Sequence, residues 1–574
     1  MPDPASGHLA CDLVVVGSGA SGLSAAVTAA SLGLDVIVLE KYHQLGGTSA
    51  WSGGWLWVPR NPLAVAAGIV EDLEAPRTYL KAELGEGYDE ALATAFLEQA
   101  PRMVAFFQKE TSVAFVDGNA IPDFHDTSPG AGLGGRSVCA APFDGRLLGR
   151  RIKDLRPPLG DISPFGMGIA SGADLRNFIN VFRTPAAFWH VTRRMARHLL
   201  DLARFGRGMH LVNGNALIAR LLKSADDLGV RILAGTPVES IIRTDQRVTG
   251  LTTRINGDVV KITTRRGVVL AAGGFPHDLA RKAERFAHAP TGREHWSAAP
   301  EENSGDGLRL GEAAGGQVRQ DLSDDAAWAP VSLSPQPDGS VGRYPHLFER
   351  AKPGLIMVRT TGQRFANEAN SYHDVMKALF AATPAGEKPE AWLICDHAFQ
   401  RRYGLGRTRP RPFPLRPWLA NGYLRRGSSM AGLASACGID PAGLVATVNA
   451  YNADAAHGND PEFNRGGSAY NRIQGEAEQA PNPCVAPIVR GPFYAVKIVP
   501  GSLGTFAGLK TDASARVLGS AGQPIDGLYA VGNDMSSMMA GRYPAGGITL
   551  GPGMTFGYIA AHHASGVPLD NNRS

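Results

Sequence analysis

Asp12-Leu13-Val14-Val15-Val16-Gly17-Ser18-Gly19-Ala20-Ser21-Gly22 decides the fold, together with the next residues as far as Glu40. A short β-branched run ending at glycine reads as a buried parallel strand. The small-residue stretch Leu23 to Leu32 reads as a helix, stopped by Gly33. Asp35-Val36-Ile37-Val38-Leu39 then reads as a second buried strand ending at Glu40. In this unit each glycine has a task. Gly17 permits the tight turn, Gly19 lets backbone approach a pyrophosphate, and Gly22 lets the helix pack on the strand. The helix start, at Ser18, Ala20 and Ser21, offers N–H groups and a positive dipole to phosphates. Glu40 stands where an acid accepts ribose hydroxyls, which disfavours a 2′-phosphate and so NADP. Strand, glycine turn, helix, strand and acid together predict a dinucleotide site.

Outward from this unit, the composition sets limits. The 574 residues exceed one domain, and two large domains fit. Hydrophobic residues are 44% and charged residues 19%, which excludes a disordered or fibrous chain. Glycine, 70 of 574 residues, is about 12% against a usual ~7%, and it gathers in short clusters, as where backbone meets a ligand. The net charge of +4 is small, and the basic residues form no single run, so nucleic-acid binding is not expected. Cys11, Cys139, Cys395, Cys437 and Cys484 are scattered without a CxxC pair, so neither a metal site nor a disulfide framework is expected. No apolar run approaches the ~18 residues of a membrane span. The start, MPDPASGHLACD, lacks the basic and apolar regions of a secretory signal, and a cytoplasmic enzyme is the expectation.

A second glycine and hydroxyl cluster comes after Lys41: Gly46-Gly47-Thr48-Ser49-Ala50-Trp51-Ser52-Gly53-Gly54. It would extend phosphate and ribityl contacts along a longer cofactor. Lys41 with this segment resembles flavoproteins related to fumarate reductase and succinate dehydrogenase. The resemblance continues through Gly267-Val268-Val269-Leu270-Ala271-Ala272-Gly273-Gly274 and Gly527-Leu528-Tyr529-Ala530-Val531-Gly532-Asn533-Asp534, two strands returning to the cofactor. It implies FAD. Its expected contacts are the residues 17–22, Glu40, Lys41, Gly47, Thr48, Ser49, Gly53, Gly54, Val238, Ala272, Gly273, Asn533, Thr549 and Leu550. No second strand–GxGxxG–helix unit is present, so a nicotinamide-reducing site is not expected and an external carrier, a quinone or another, must exchange the electrons.

The expected architecture is α/β. A Rossmann-like FAD-binding domain of the glutathione reductase type is split in sequence, 1–325 and 505–574. An inserted α+β substrate domain occupies 326–504. Val238 to Val269 reads as a hairpin about Asn256-Gly257. A helical insert at about 150–207 carries Phe178, Phe182, Phe188 and Trp189 with Arg193, Arg194, Arg197 and Arg204. A lid packed on its own protein has this pattern. So does a helix in loose contact with a membrane surface.

Arg542-Tyr543-Pro544-Ala545-Gly546-Gly547-Ile548-Thr549-Leu550-Gly551-Pro552-Gly553 is a glycine-rich loop feeding a helix, with N–H groups free to hold developing negative charge. It closely resembles the YPGPGxTxGPAxTFGY motif of 3-ketosteroid dehydrogenases. The resemblance implies that Tyr543 and the Gly547 N–H grip a ketone. Gly354 to Tyr372 resembles the same family's PGxxVxxxGxRFxNExxxY block, which implies Tyr372 as base. Fumarate reductases carry cationic ligands for carboxylates where this chain has Tyr372, Gly504 and Pro544. An uncharged ketone therefore suits the pocket better than a dicarboxylate, with Arg542 the one nearby cation. The family's PDYY-like segment reads Pro122-Asp123-Phe124-His125 here. His125, titrating nearest neutrality, is the candidate to replace the lost tyrosine as relay or base. Arg364, Asn367 and Glu368 read as loop-builders.

The resemblance implies dehydrogenation of a C–C bond beside the ketone of a hydrophobic ring, a 3-ketosteroid at Δ1 or Δ4. A proton leaves to a base and a hydride to flavin N5. The alternatives are an ene-reductase running the same chemistry backwards and a flavin-binding subunit without turnover. The oligomeric state is not legible.

Overall fold

The structure is a computed structural model that describes residues 7–569 apart from residue 337. Residues 1–6, the start of the stretch read as lacking a signal, lie outside the described residues, as do 570–574. Five parallel strands form the first layer: β1 (His8–Val16), β2 (Val36–Glu40), β3 (Arg231–Ala234), β4 (Asp258–Leu270) and β5 (Pro524–Ala530). Their order is β5-β4-β1-β2-β3. Val14 of β1 sits opposite Ile37 on one side and Val268 on the other. Both faces of this layer are covered, which is why β1 and β2 read as unbroken apolar runs rather than alternating ones. The strands Val238–Thr244 and Arg247–Ile255 continue the sheet as an antiparallel hairpin pair with β4. Asn256 and Gly257 both have positive φ, 53° and 94°, as a two-residue turn between twisted strands requires.

Four helices position the site: α1 (Ala20–Ser31), α2 (Pro185–Phe205), α3 (Tyr372–Ala382) and α4 (Leu550–Ser565). α1 and α4 meet backbone to backbone. A Cβ added at Gly557 would lie 2.5 Å from the Ser21 carbonyl oxygen, and Ser24 Oγ donates to the Met554 carbonyl at 2.7 Å. The C-terminal chain thus returns to the first βα unit. α2 packs through Ala187, His198 and Asp201. Its aromatic residues Phe188 and Trp189 face outward, as does Phe182 just before it, so these rings do not make the packed lid that the sequence allowed.

The second sheet is strung on one strand of 13 residues, Phe493–Thr505. It pairs with Ala326–Pro335, Ala391–Cys395 and Leu424–Gly427, and in parallel with Trp296–Ser297. Side chains alternate between two cores. Leu393, Cys395, Val496 and Ile498 enter one, and Trp392, Ile394 and Ala495 enter the other. On this sheet's margin a buried charge network fixes the loop before α3. Arg364 makes paired bonds with Glu368 and Asp460, and Glu368 also receives Arg465 and the Met357 N–H. Burial alone would raise the Glu368 carboxyl, but the two guanidinium groups hold it below the ordinary range. Asn367 bonds Asn471 and the carbonyls of Phe463 and Asn464. All three residues are spent on building the loop.

Removing one partner of a buried pair costs about 3–5 kcal/mol. Glu368→Gln should therefore lower the thermal midpoint, followed by flavin fluorescence, by several degrees. A midpoint within ~1 °C of wild type would show that the network does not hold the loop.

Candidate active site

The β1–α1 turn is shaped by two steric exclusions and one opening. Gly17 has φ +110°, and a Cβ there would sit 2.2 Å from the Ala271 carbonyl oxygen. A Cβ on Gly22 would lie 2.2 Å from the Gly17 oxygen. At Gly19, whose φ of −68° suits any residue, a Cβ would meet only Ser49 Oγ, at 3.6 Å. Protein packing does not require glycine at position 19, whereas a phosphate lying on the turn does. Ser49 Oγ accepts from the Ala20 N–H at 3.1 Å, so the second cluster closes over the first. Glu40 takes the Ser18 N–H and hydroxyl on one oxygen and the Tyr42 N–H on the other, which orients it at the end of β2. Lys41 pairs with Asp306, and Thr48 accepts from Asn303 at 2.8 Å. Gly53 and Gly54 lead into the short strand Trp55–Trp57, and Val238 starts the hairpin with its carbonyl facing Arg309.

The strand ends meet at Asp534. Its fully buried carboxylate accepts the N–H groups of Ala272 and Gly274, clamping the Gly273 turn against the 532–534 turn. Burial pushes its pKa up to about 6, against the pull of those two donors. Beyond it lies a cavity lined by Thr505, Phe506, Asn533, Met538, Thr549 and Pro552, at the N-terminus of α4. Thr549 and Leu550 stand at that helix start, where the dipole favours negative charge. A long dinucleotide therefore fits the residues present. The glycine turn suits its pyrophosphate, Glu40 its ribose, and the cavity at α4 its ring.

The ketone-gripping candidates come together beside this cavity. Tyr543 is buried, and its ring lies 5.0 Å from that of Tyr372 at 77°. Tyr372 opens α3, with Ser371 as its cap. The interaction of the two phenols pushes Tyr372 up and partly offsets the effect of burial on Tyr543. Burial pushes Tyr543 up to about 12, and Tyr372 is raised well above its ordinary value by burial and by Tyr543. Both are neutral at physiological pH. Gly547 has φ +97°, and a Cβ there would lie 2.6 Å from the Trp57 nitrogen, so only glycine fits. Among the described residues no group accepts from its N–H. Arg542 is exposed.

Three residues complete the wall, of which the sequence pointed only to the segment of Phe124 and not to Tyr470 or Arg350. Phe124 occupies the place of the missing tyrosine, stacked 5.7 Å from Tyr543 and 5.9 Å edge-on to Tyr372. Tyr470, buried, reaches Phe124 from the other side at 4.3 Å. Arg350 is fully buried and bonds only carbonyls, those of His346, Leu347, Glu368 and Asn370. Its charge partly offsets the effect of burial on Tyr372 and Tyr470. The one available signal was the spacing of a lone Tyr and a lone Arg, which carries nothing without the fold.

His125 lies between two carboxylates. Its Nδ1 faces Glu83, and its Nε2 faces Asp374 at 2.8 Å. Burial would lower its pKa, but bonds to the two carboxylates outweigh this and raise it to about 10. It is an imidazolium at neutral pH, with no lone pair to take a proton, which corrects its reading as a base. It instead ties Asp374, in the first turn of α3, to the segment that carries Phe124. Among the described residues no cluster of His, Cys, Asp or Glu is arranged for a metal.

The FAD binding domain family matches residues 12–550. A 4-oxocyclohex-2-ene-1-carboxylate 5-dehydrogenase of Sinomonas cyclohexanicum is 39% identical over 96% of this chain and 93% of its own. A 3-oxosteroid 1-dehydrogenase of Mycobacterium tuberculosis is 35% identical over 96% of this chain and 98% of its own. The crystal structure of 3-ketosteroid delta1-dehydrogenase from Sterolibacterium denitrificans, in complex with 1,4-androstadiene-3,17-dione, superposes with TM-score 0.90. It is 36% identical, covering 97% of this chain and 100% of that one.

The His125 cluster has a measurable signature. The folded protein holds this proton up to about pH 10, whereas an unperturbed imidazole releases it near 6.5. Its contribution to stability is therefore whole below pH 6.5 and fades as pH rises toward 10. The stability gap between wild type and His125→Gln, from denaturant titrations, should shrink across that window. A gap that widens with pH would contradict the imidazolium.

Proposed function

The chain belongs to the FAD binding domain family as a 3-ketosteroid dehydrogenase-like FAD oxidoreductase acting on CH–CH groups, and from that premise we propose that it dehydrogenates a 3-ketosteroid in the ring bearing the ketone. The observation that carries the reading is the uncharged grip. A phenol held neutral by burial and, four residues on, a main-chain N–H with no acceptor among the described residues belong to the loop beside the cofactor cavity, and Arg542 is exposed. A ketone oxygen satisfies those donors, whereas a dicarboxylate would enter without charge partners and lose several kcal/mol per ion on desolvation. Of the three relatives, two act as Δ1-dehydrogenases by name, which favours Δ1 over Δ4.

The roles follow from the bonds. Tyr543 and Gly547 polarise the ketone, which acidifies the adjacent C–H. Neither phenol is ionised, so Tyr372 accepts the carbon-bound proton only as its own proton moves on. The neighbouring Tyr543, its ring 5.0 Å away, offers that route. The proton from carbon reaches the Tyr372 oxygen, the Tyr372 proton passes to Tyr543, and the Tyr543 proton passes to the ketone oxygen, giving an enol. As the hydride leaves the neighbouring carbon, the enol O–H returns a proton along the same phenols to solvent, which restores the ketone as an enone. Arg350 stabilises what partial negative charge gathers on Tyr372, and Tyr470 with Phe124 keeps water from it. His125 positions α3 through Asp374 and does no proton chemistry. FAD, when bound, takes the hydride from the neighbouring carbon, and an external carrier, a quinone or another, reoxidises it.

A second reading has one observation in its favour. The Sinomonas relative at 39% identity is named for a small cyclic ketone that bears a carboxylate. The polar grip would hold that ketone equally, and the difference lies in what contacts the rest of the ring.

Anaerobic mixing of the holoenzyme with saturated 3-ketosteroids should bleach the flavin absorbance. Bleaching by 4-oxocyclohexanecarboxylate alone would transfer the assignment to the small-ring substrate. If only enones act, by reoxidising dithionite-reduced enzyme, the protein is a reductase. Tyr543→Phe and Tyr372→Phe should each lower turnover at least ~100-fold with FAD retained. Near-normal rates in both variants would remove the relay.

A further inference from the structure

We propose that His373 is a positioning residue for Tyr543, anchored by Asp324. The inference rests on the reading of Tyr543 as a hydrogen-bond donor to the ketone. Four rings box the Tyr543 phenol. Phe124 stacks on it at 5.7 Å, Tyr372 stands edge-on at 5.0 Å, and Phe506 and His373 each lie 5.9 Å away. Phe506 lines the cavity at the start of α4, so the box shares a wall with that cavity. Tyr372 and His373 are the first two residues of α3, and both bring a ring to Tyr543. Apolar rings such as Phe124 and Phe506 resist overlap but fix no direction. A ring held at both nitrogens by directed contacts also fixes an angle.

His373 has such contacts. It is buried, and its Nδ1 accepts the Trp328 N–H at 3.2 Å. A ring nitrogen that accepts carries no proton, so the ring proton sits on Nε2. Nε2 lies 3.4 Å from Asp324 Oδ2 and has no other partner among the described residues. Burial alone would raise the Asp324 carboxyl, but His373, the Trp328 indole at 2.8 Å and Lys377 at 3.0 Å hold it below its ordinary range. An anion therefore faces the Nε2 proton. Asp324 is itself fastened to the loop that carries Tyr543. Ser323, just before it, donates its N–H and its hydroxyl to the Ala540 carbonyl, both at 3.1 Å. A Cβ on Gly541 would lie 2.4 Å from the Asp324 nitrogen. The contacts run from α3 through His373 and Asp324 to the loop and return to α3 where Tyr543 meets Tyr372. Because the Trp328 N–H occupies Nδ1, no proton passes through this imidazole. Its role is to set the direction of the Tyr543 hydroxyl, and a misplacement of about 1 Å in such a group costs on the order of 100-fold in rate.

The test is anaerobic flavin reduction in the holoenzyme by a saturated 3-ketosteroid, or by 4-oxocyclohexanecarboxylate if that alone bleaches the flavin. It separates the rate at saturation from the half-saturating concentration. His373→Phe keeps a ring without either polar contact. It should lower the saturating rate at least ~30-fold and leave the half-saturating concentration within ~3-fold, with FAD retained. His373→Gln, whose amide can offer Asp324 an N–H, should recover most of that loss. A double-mutant cycle then separates aim from general structure. In Tyr543→Phe enzyme, which has no hydroxyl to direct, His373→Phe should slow reduction by less than a further ~3-fold. Losses that multiply, a His373→Gln enzyme as slow as His373→Phe, or an unimpaired His373→Phe beside a slow Tyr543→Phe each overturn the proposal and leave the ketone grip standing. A near-normal rate in Tyr543→Phe removes the grip and this inference with it. Should His373→Phe lose FAD, Asp324→Ala takes its place in the cycle. The same lack of additivity is expected there, and multiplied losses again overturn the proposal.

Discussion

The Pro544 carbonyl holds this site together. It accepts the Phe124 N–H at 2.8 Å and the Tyr79 hydroxyl at 2.7 Å, so a loop from the far end of the chain is pinned to two separate segments near its beginning. Three residues on, the Gly547 carbonyl accepts the Trp57 N–H at 3.1 Å. Tyr543 directly precedes the first of these anchors, which holds it in the corner where Tyr372 meets it. Hydrogen bonds to buried carbonyls are expensive to leave unmade. The loop therefore keeps its shape before any ligand arrives, and preorganised donors need no rearrangement as charge develops.

The same economy governs the electrostatics. The corner of the site is apolar and phenolic, and its one buried cation, Arg350, is saturated by four carbonyls rather than by an acid. The carboxylates nearby are committed elsewhere, Asp123 to Arg136 and Glu368 to Arg364 and Arg465. A substrate oxygen in this corner meets donors without competing acceptors. Phenols whose pKa is raised by burial keep their protons, which is why a concerted passage of the proton suits them better than a standing phenolate.

Much of this is legible without the structure. The strand–glycine–helix–strand–acid unit is local, so its geometry follows from its own residues, and Gly17 and Gly22 have the steric reasons assigned to them. The Asn256-Gly257 turn is legible for the same reason. Tyr372, Tyr543 and Gly547 come from resemblance, and the fold brings them to one corner although some 170 residues separate the blocks. Hidden from a sequence reading is what only tertiary contact creates. Nothing in the sequence brings Tyr470 to Phe124, or aims a lone arginine at position 350 behind Tyr372. His125 reads wrongly from sequence because its chemistry is set by Glu83 and Asp374, 42 and 249 residues away. An intrinsic pKa near neutrality says little once two carboxylates close on the ring.

The strand Phe493–Thr505 runs without a break from the second sheet to the cavity at the start of α4, where Thr505 accepts the Phe275 N–H. One continuous beam thus supports both halves of the site. Drift of sequence on the wall made by Phe124, Tyr470 and the loop before Tyr372 reshapes the receptacle without disturbing the phosphate turn or the ring berth. A scaffold of this kind can exchange a fused tetracycle for a single carbocycle over evolutionary time while its redox half stays untouched.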